Sequence, residues 1–268
     1  MYLPWKYALA STVGTSHQKT GQVCQDASSC QTVVSEANDQ ILIAVASDGA
    51  GSANFSEHGS KLICTSLTRQ VKEHIQNGGE VRDIYLDLVK DWIMMFQKEA
   101  NTFAEEHFIR PKELACTLLA AILGGDYAAF IQIGDGAIVT TSPEEGDNYS
   151  WVFWPQNGEY ENTTFFATDS YSLNHLNFDV YNGHCDEVAL FSDGLQRIAL
   201  HYETKTAHNP FFRPFFLELR KEKRNYSKRF SDLLVTFLNS TRVSERSDDD
   251  KTLILVTRRN DKLLKGAV

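Results

Sequence analysis

Five apolar runs bounded by turn residues stand out along the chain, at 41–46, 114–123, 127–133, 188–191 and 252–257. None alternates cleanly between apolar and polar positions, which is the pattern of strands covered on both faces. The glycine pair Gly124-Gly125, followed by Asp126, predicts a hairpin turn between the second and third runs. Weaker strands are predicted at 7–13, 27–34, 150–154 and 163–167. Between the first two runs the apolar period changes to three or four. Leu62, Ile63, Leu67, Val71 and Ile75 form one stripe, and Ile84, Leu88, Trp92, Phe96, Ala100 and Phe103 form another. Phe230, Leu233, Leu234 and Phe237 form a third. Each stripe predicts a helix with one face on a core. The polar segments 143–150 and 241–250 read as loops. Strands, two long helices, many strands, then a helix and a last strand is not the alternation of a doubly wound fold. It predicts an α+β chain with helices packed outside a mostly antiparallel β core.

Composition narrows the class. The chain has 268 residues, 42% apolar and 23% charged, an ordinary globular mix, and reads as one domain over 1–268. The longest apolar stretch, 114–123, is about half of the ~20 residues that a membrane-spanning helix needs. No basic start followed by an apolar core marks a signal peptide. Five cysteines without a CxxC pair argue against a disulfide framework or structural zinc, and the expected compartment is the reducing cytosol. A net charge of −9 is not a nucleic-acid footprint.

The chemistry lies in where the aspartates fall. Asp48 follows the first run and precedes Gly49, Asp135 follows the third and precedes Gly136, and Asp193 follows the fourth and precedes Gly194. Asp249 stands just before the last run, and Asp26 before an early strand. A carboxylate at the end of a buried strand needs a counter-charge, and these motifs supply no lysine or arginine. Hard oxygen ligands converging without one select magnesium or manganese. Asp-Gly alone is a turn signal, but two Ser-Asp-Gly triplets, 47–49 and 192–194, both end apolar runs.

At these residues the chain resembles the type 2C metal-dependent Ser/Thr protein phosphatases, of the compact bacterial kind. The matching segments run in family order: GTSHQKTGQVCQDA (14–27), VASDGAGSANFSEHG (45–59), ELACTLLAAIL (113–123), FIQIGDGAIV (130–139), VALFSDGL (188–195) and DDKTLILV (249–256). The resemblance implies a four-layer α-β-β-α sandwich with a binuclear metal centre at one end. It implies that Asp48 bridges two ions, that the Gly49 carbonyl completes one of them, and that Asp193 and Asp249 hold one. Asp26 then serves the other, partly through water, and Asp135 a third, weaker ion. It further implies hydrolysis of phosphoserine and phosphothreonine by a metal-activated water, a phosphoprotein substrate that is a Ser/Thr kinase or its target, and no membrane or nucleic-acid partner.

The chain departs from the family pattern at four positions. Gln25 stands for a glutamate, Gly21 for a phosphate-gripping arginine, Ala50 for a histidine and Ser52 for a glycine. His17 and Lys19, in the loop ahead of Asp26, are candidates for the missing phosphate contact or proton, and a histidine suits proton transfer near neutrality. His58 is a lesser candidate. The alternatives are a phosphoprotein-binding relative without turnover and a hydrolase of small phosphate esters. No GxxxxGK[ST] loop supports a nucleotide site. The basic stretch 213–229, preceded by Phe211 and Phe212, reads as a solvated face or as a docking surface for an acidic partner.

Overall fold

The apolar runs form the strands of two five-stranded sheets. The computed structural model describes residues 3–156 and 164–260. The first half of the chain folds as β1 (Lys6–Thr12), α1 (Thr15–Thr20), β2 (Ala27–Val34), β3 (Gln40–Ser47), α2 (Ser56–Gln76), α3 (Leu86–Glu106), β4 (Leu118–Leu123) and β5 (Tyr127–Ile133). Next come β6 (Ala137–Thr141), β7 (Ser150–Trp151), β8 (Asn177–Asn182), β9 (Glu187–Phe191), α4 (Gln196–Ala199), β10 (Leu200–His201) and β11 (Thr206–Ala207). The chain continues through α5 (Asn209–Leu219), α6 (Lys228–Leu238), α7 (Thr241–Ser244) and β12 (Lys251–Thr257). One sheet has the order β1-β12-β9-β6-β7 and the other β2-β3-β4-β5-β8, with β10 and β11 a small separate ladder. Every strand pair is antiparallel.

The lack of polar alternation has the predicted cause. Along β3, Leu42, Ala44 and Ala46 meet Leu119, Leu190 and Ile254 in a layer shared by the two sheets. Ile43 and Val45 on the opposite face pack with Ile63 and Leu67 of α2 and Phe96 of α3. On the other sheet, Ala189, Phe191 and Leu253 meet Phe212, Phe216, Phe230 and Leu234 of α5 and α6. The layers therefore run helix, sheet, sheet, helix, as expected.

Several local expectations fail for identifiable reasons. The run 114–123 does not start a strand at Leu114, because Pro111–Leu114 is a 3-10 turn. Residues 115–117 are extended but pair with the loop after β3: Ala50 N donates to Ala115 O at 2.9 Å and Thr117 N to Asp48 O at 2.8 Å. The expected strand 150–154 stops at Trp151, and residues 164–167 form no strand; Thr163 lies outside the described residues. The loop 241–250 contains α7, and β6, β8 and α5 were not predicted. Phe211, Phe212 and Phe216 are core residues of α5. The basic stretch is largely committed within the fold. Lys221 pairs with Glu218, Lys228 with Asp232 and Arg229 with Glu222, while Lys223 and Arg224 are exposed. Arg220 is buried, and its Nε and Nη2 donate to the two oxygens of Glu187 at 2.8 and 2.6 Å.

Candidate metal centre

All five aspartates come to one end of the sandwich because antiparallel pairing puts their strand ends side by side. Ala27 pairs with Ser47, Leu118 with Ile133, and Leu253 with Phe191. Asp48, Gly49, Asp135, Asp193 and Asp249 line a cavity of about 550 Å³ together with Ser16, His17 and Ser52. Asp26 is buried behind them, 4% exposed. A cavity of similar size, about 520 Å³, opens by the β2–β3 and β4–β5 turns at the opposite end. Its carboxylates Glu36, Asp39, Glu80 and Asp126 are all exposed, so nothing there forces charge into the protein.

Each position is held from several sides. Thr117 Oγ1 accepts the Asp48 N–H at 2.9 Å, and Ser47 Oγ donates to Thr117 O at 2.6 Å. A Cβ at residue 49 would lie 2.6 Å from Gln25 O, so only glycine fits there. Ser192 Oγ donates to Asp26 Oδ2 at 2.7 Å and accepts the Thr252 N–H at 2.9 Å, tying β9, β12 and Asp26 into one unit. One oxygen of Asp26, one of Asp193 and the amide oxygen of Gln25 are buried without a hydrogen-bond partner. The Gln25 amide thus keeps an oxygen donor where the family pattern has a carboxylate.

The Asp26 carboxyl is raised to about 7, by burial first, with Asp250 and Asp193 adding to it and the hydrogen bonds from Ser192 and Thr252 opposing it. Asp135 rises to about 7, by burial and then by Asp193. Asp48 is held well above the carboxylate range by burial, then by Asp26, Asp193 and Asp135. Asp249 is raised by burial and then by Asp193. Asp26, Asp48, Asp135 and Asp249 therefore resist ionisation, chiefly through burial and then through the acids beside them. Orphaned buried oxygens, mutual repulsion and an all-oxygen donor set fit a hard divalent cation. Among the described residues no three acidic, His or Cys side chains already form a closed ligand set. Gly49 lines the same cavity and adds a backbone carbonyl to the available oxygens.

Two residues of the site were missed in the sequence. Asp250, 2% exposed, accepts the Gly14 N–H at 2.6 Å on one oxygen and the Gln25 N–H at 2.6 Å on the other. It pins both ends of the loop that carries α1, whereas its neighbour Asp249, singled out in the run of three aspartates by its DxxT spacing to Thr252, faces the cavity. Lys251 is buried, and its Nζ donates to Asp249 O at 2.6 Å. Burial lowers its pKa, opposed by Asp250, Asp249 and Asp26.

His17 is 9% exposed, with Nδ1 3.0 Å from Asp250 Oδ1. This is an ion-pair distance without hydrogen-bond alignment. Its Nε2 lies on the side of Gly51, at the cavity. Lys19 is exposed and does not line the cavity. His58 is paired with Glu57 and packs edge-on against Phe103, also outside the cavity.

Solved bacterial serine phosphatases share this fold. One such crystal structure superposes with a TM-score of 0.59 at 16% identity, covering 96% of this chain and 99% of that one. PppA, described as a key regulatory component of T6SS in Pseudomonas aeruginosa, gives 0.62 at 17%, covering 96% and 98%. Serine/threonine-protein phosphatase 3 of Escherichia coli (strain K12) is 35% identical over 257 residues, 94% of this chain and 98% of that protein. Residues 13–239 match the family described as Protein phosphatase 2C. The chain belongs to that family and is a protein serine/threonine phosphatase. Among the described residues no helix is long and apolar enough to cross a membrane.

Proposed function

We propose that this phosphatase hydrolyses phosphoserine and phosphothreonine in proteins with magnesium or manganese ions at its acidic mouth, and that it opposes a Ser/Thr kinase in signalling. The observation that carries the reading is the convergence of five mutually repelling carboxylates at the strand ends. Asp48, the Gly49 carbonyl, Asp193 and Asp249 would hold two ions, with Asp26 behind them and Asp135 toward a third. Such ions, when bound, supply an acidified water as nucleophile and neutralise charge on the phosphoryl oxygens. A protein that only bound phosphate would gain nothing from so many acids, since they repel the ligand. The test is manganese-dependent release of phosphate from a phosphothreonine peptide, lost on chelation. No release under saturating manganese from folded protein would leave only the binding reading.

His17 supplies what the metal ligands do not. Asp250 lies 3.0 Å from Nδ1 and Nε2 is on the cavity side, so the imidazole is placed to offer a proton there. The seryl or threonyl oxygen leaves as a strong base and needs that proton, whereas p-nitrophenolate leaves without one. His17→Gln is therefore expected to lower kcat on a phosphothreonine peptide by about 10²-fold or more, and on p-nitrophenyl phosphate only slightly. Equal losses on both substrates would assign His17 to phosphate binding instead.

A further inference from the structure

Beyond the acidic mouth, an apolar cleft of about 290 Å³ opens among α4, α5, α6 and α7. Ile198, Phe211, Phe215, Phe237 and Val243 line it, and Arg242 and Arg246 stand at its lip. Both arginines are exposed, and neither has a carboxylate within 4.0 Å among the described residues. By contrast Arg69, Arg82, Arg110, Arg220, Arg229 and Arg259 are each paired. What sets Arg242 and Arg246 apart from other exposed cations is that both line an apolar cleft, in a chain of net charge −9.

The cleft adjoins the mouth through the chain itself. Ile198 follows Asp193 by five residues, and Arg246 precedes Asp249 by three. At no more than about 3.6 Å per residue, the cleft wall is within ~18 Å of Asp193, and Arg246 is within ~11 Å of Asp249. Residues 193–199 are helical, so the span is shorter than that limit, and an extended peptide covers it in no more than about five residues.

We propose that this cleft docks an extended acidic segment of the phosphoprotein substrate, with an apolar side chain seated between α5 and α7 and its flanking carboxylates on Arg242 and Arg246. The proposal rests on the phosphoprotein reading of the site and adds to it a sequence preference: an apolar residue among acids, within about five residues of the phosphorylated one. The acidic mouth repels such a segment, so the two arginines give the approaching substrate its favourable end. The attraction is between exposed charges, so it weakens with salt.

The first measurement uses no turnover. A fluorescein-labelled, unphosphorylated peptide with a Leu-Phe pair between glutamates is titrated with the protein and with R242E/R246E, following anisotropy. Binding weakened at least tenfold by the double substitution, and weakened again by raised salt, is the expected result. No binding, or equal binding to both proteins, would overturn the proposal. So would sedimentation showing a wild-type dimer that the double variant loses, because a second copy would then own the cleft. The second measurement compares phosphothreonine peptides with and without the same pair five residues away. The pair is expected to lower KM about tenfold in the wild type and not in R242E/R246E, with p-nitrophenyl phosphate turnover equal in both proteins. Peptide binding that follows the arginines in a protein without manganese-dependent turnover would overturn the activity proposed for the mouth and leave the ligand of the cleft standing.

Discussion

Asp48→Asn is expected to abolish turnover and to raise the melting temperature of the metal-free protein. Asp48 faces the cavity at its centre, and its carboxyl is disfavoured in the charged form by burial, Asp26, Asp193 and Asp135. An amide of the same shape removes one of the repelling charges, so the metal-free fold gains. The same change removes the donor common to the proposed ions. Loss of an outer partner of a metal ligand costs 10–100-fold, so the loss here is expected to exceed about 10³-fold in kcat. Asp193→Asn is expected to behave alike in turnover. Calorimetry in chelator and phosphate release in manganese check the two halves, and a metal-free melting temperature lowered by Asp48→Asn would contradict the electrostatic account.

The same charges set an unusual pH dependence. Asp26 and Asp135 bind protons near 7 when folded and near 3.8 when unfolded. From about 4 to 7 the folded form thus holds protons that the unfolded form has released. Metal-free stability is highest below that window, falls as pH rises through it, and levels off above it. Manganese reverses the penalty by binding only the folded form, by about 2.7 kcal/mol at a hundred times its dissociation constant. The melting-temperature gain on adding manganese is therefore expected to be larger at pH 8 than at pH 5.

Glu187→Ala is expected to be the most damaging single change far from the mouth. Glu187 is fully buried and takes two hydrogen bonds from Arg220, one from Tyr149 Oη at 2.9 Å and one from Thr257 Oγ1 at 2.8 Å. Truncation leaves the Arg220 guanidinium buried with Asp147 as its remaining carboxylate. Breaking such a pair costs roughly 3–5 kcal/mol, on the order of 10 °C in melting temperature for a chain of this size. Thermal unfolding checks it, and a double change to apolar residues at 187 and 220 is expected to recover much of the loss.

What could be read from the sequence follows physical lines. Strands buried on both faces leave unbroken apolar runs, so β3, β5, β9 and β12 were visible. Strand β8 was not, because it is an edge strand with half-exposed residues. Helix α5 hid behind Pro210 and Pro214, which read as breakers although Phe212, Phe216 and Leu219 keep helical spacing. The acids at strand ends were legible because glycine follows most of them. Asp250 was not, since its task is to accept two backbone N–H groups from a loop more than two hundred residues away. Nor was the pairing of Arg220, which depends on Glu187 arriving from another strand.

Strand β1 is joined to its sheet only through β12. Ser16 N also donates to Asp248 O, and Asp250 clamps the α1 loop, so the first strand and the His17 loop depend on the last strand. During synthesis the β2-β3-β4-β5-β8 sheet can assemble once residue 182 has emerged, with α2 and α3 already beside it. The other sheet waits for residue 257. A nascent chain on the ribosome therefore sets Asp26, Asp48 and Asp135 at the edge of its first sheet before Asp193 and Asp249 can join them, and a product truncated before β12 is expected to be silent as an enzyme however well that sheet folds.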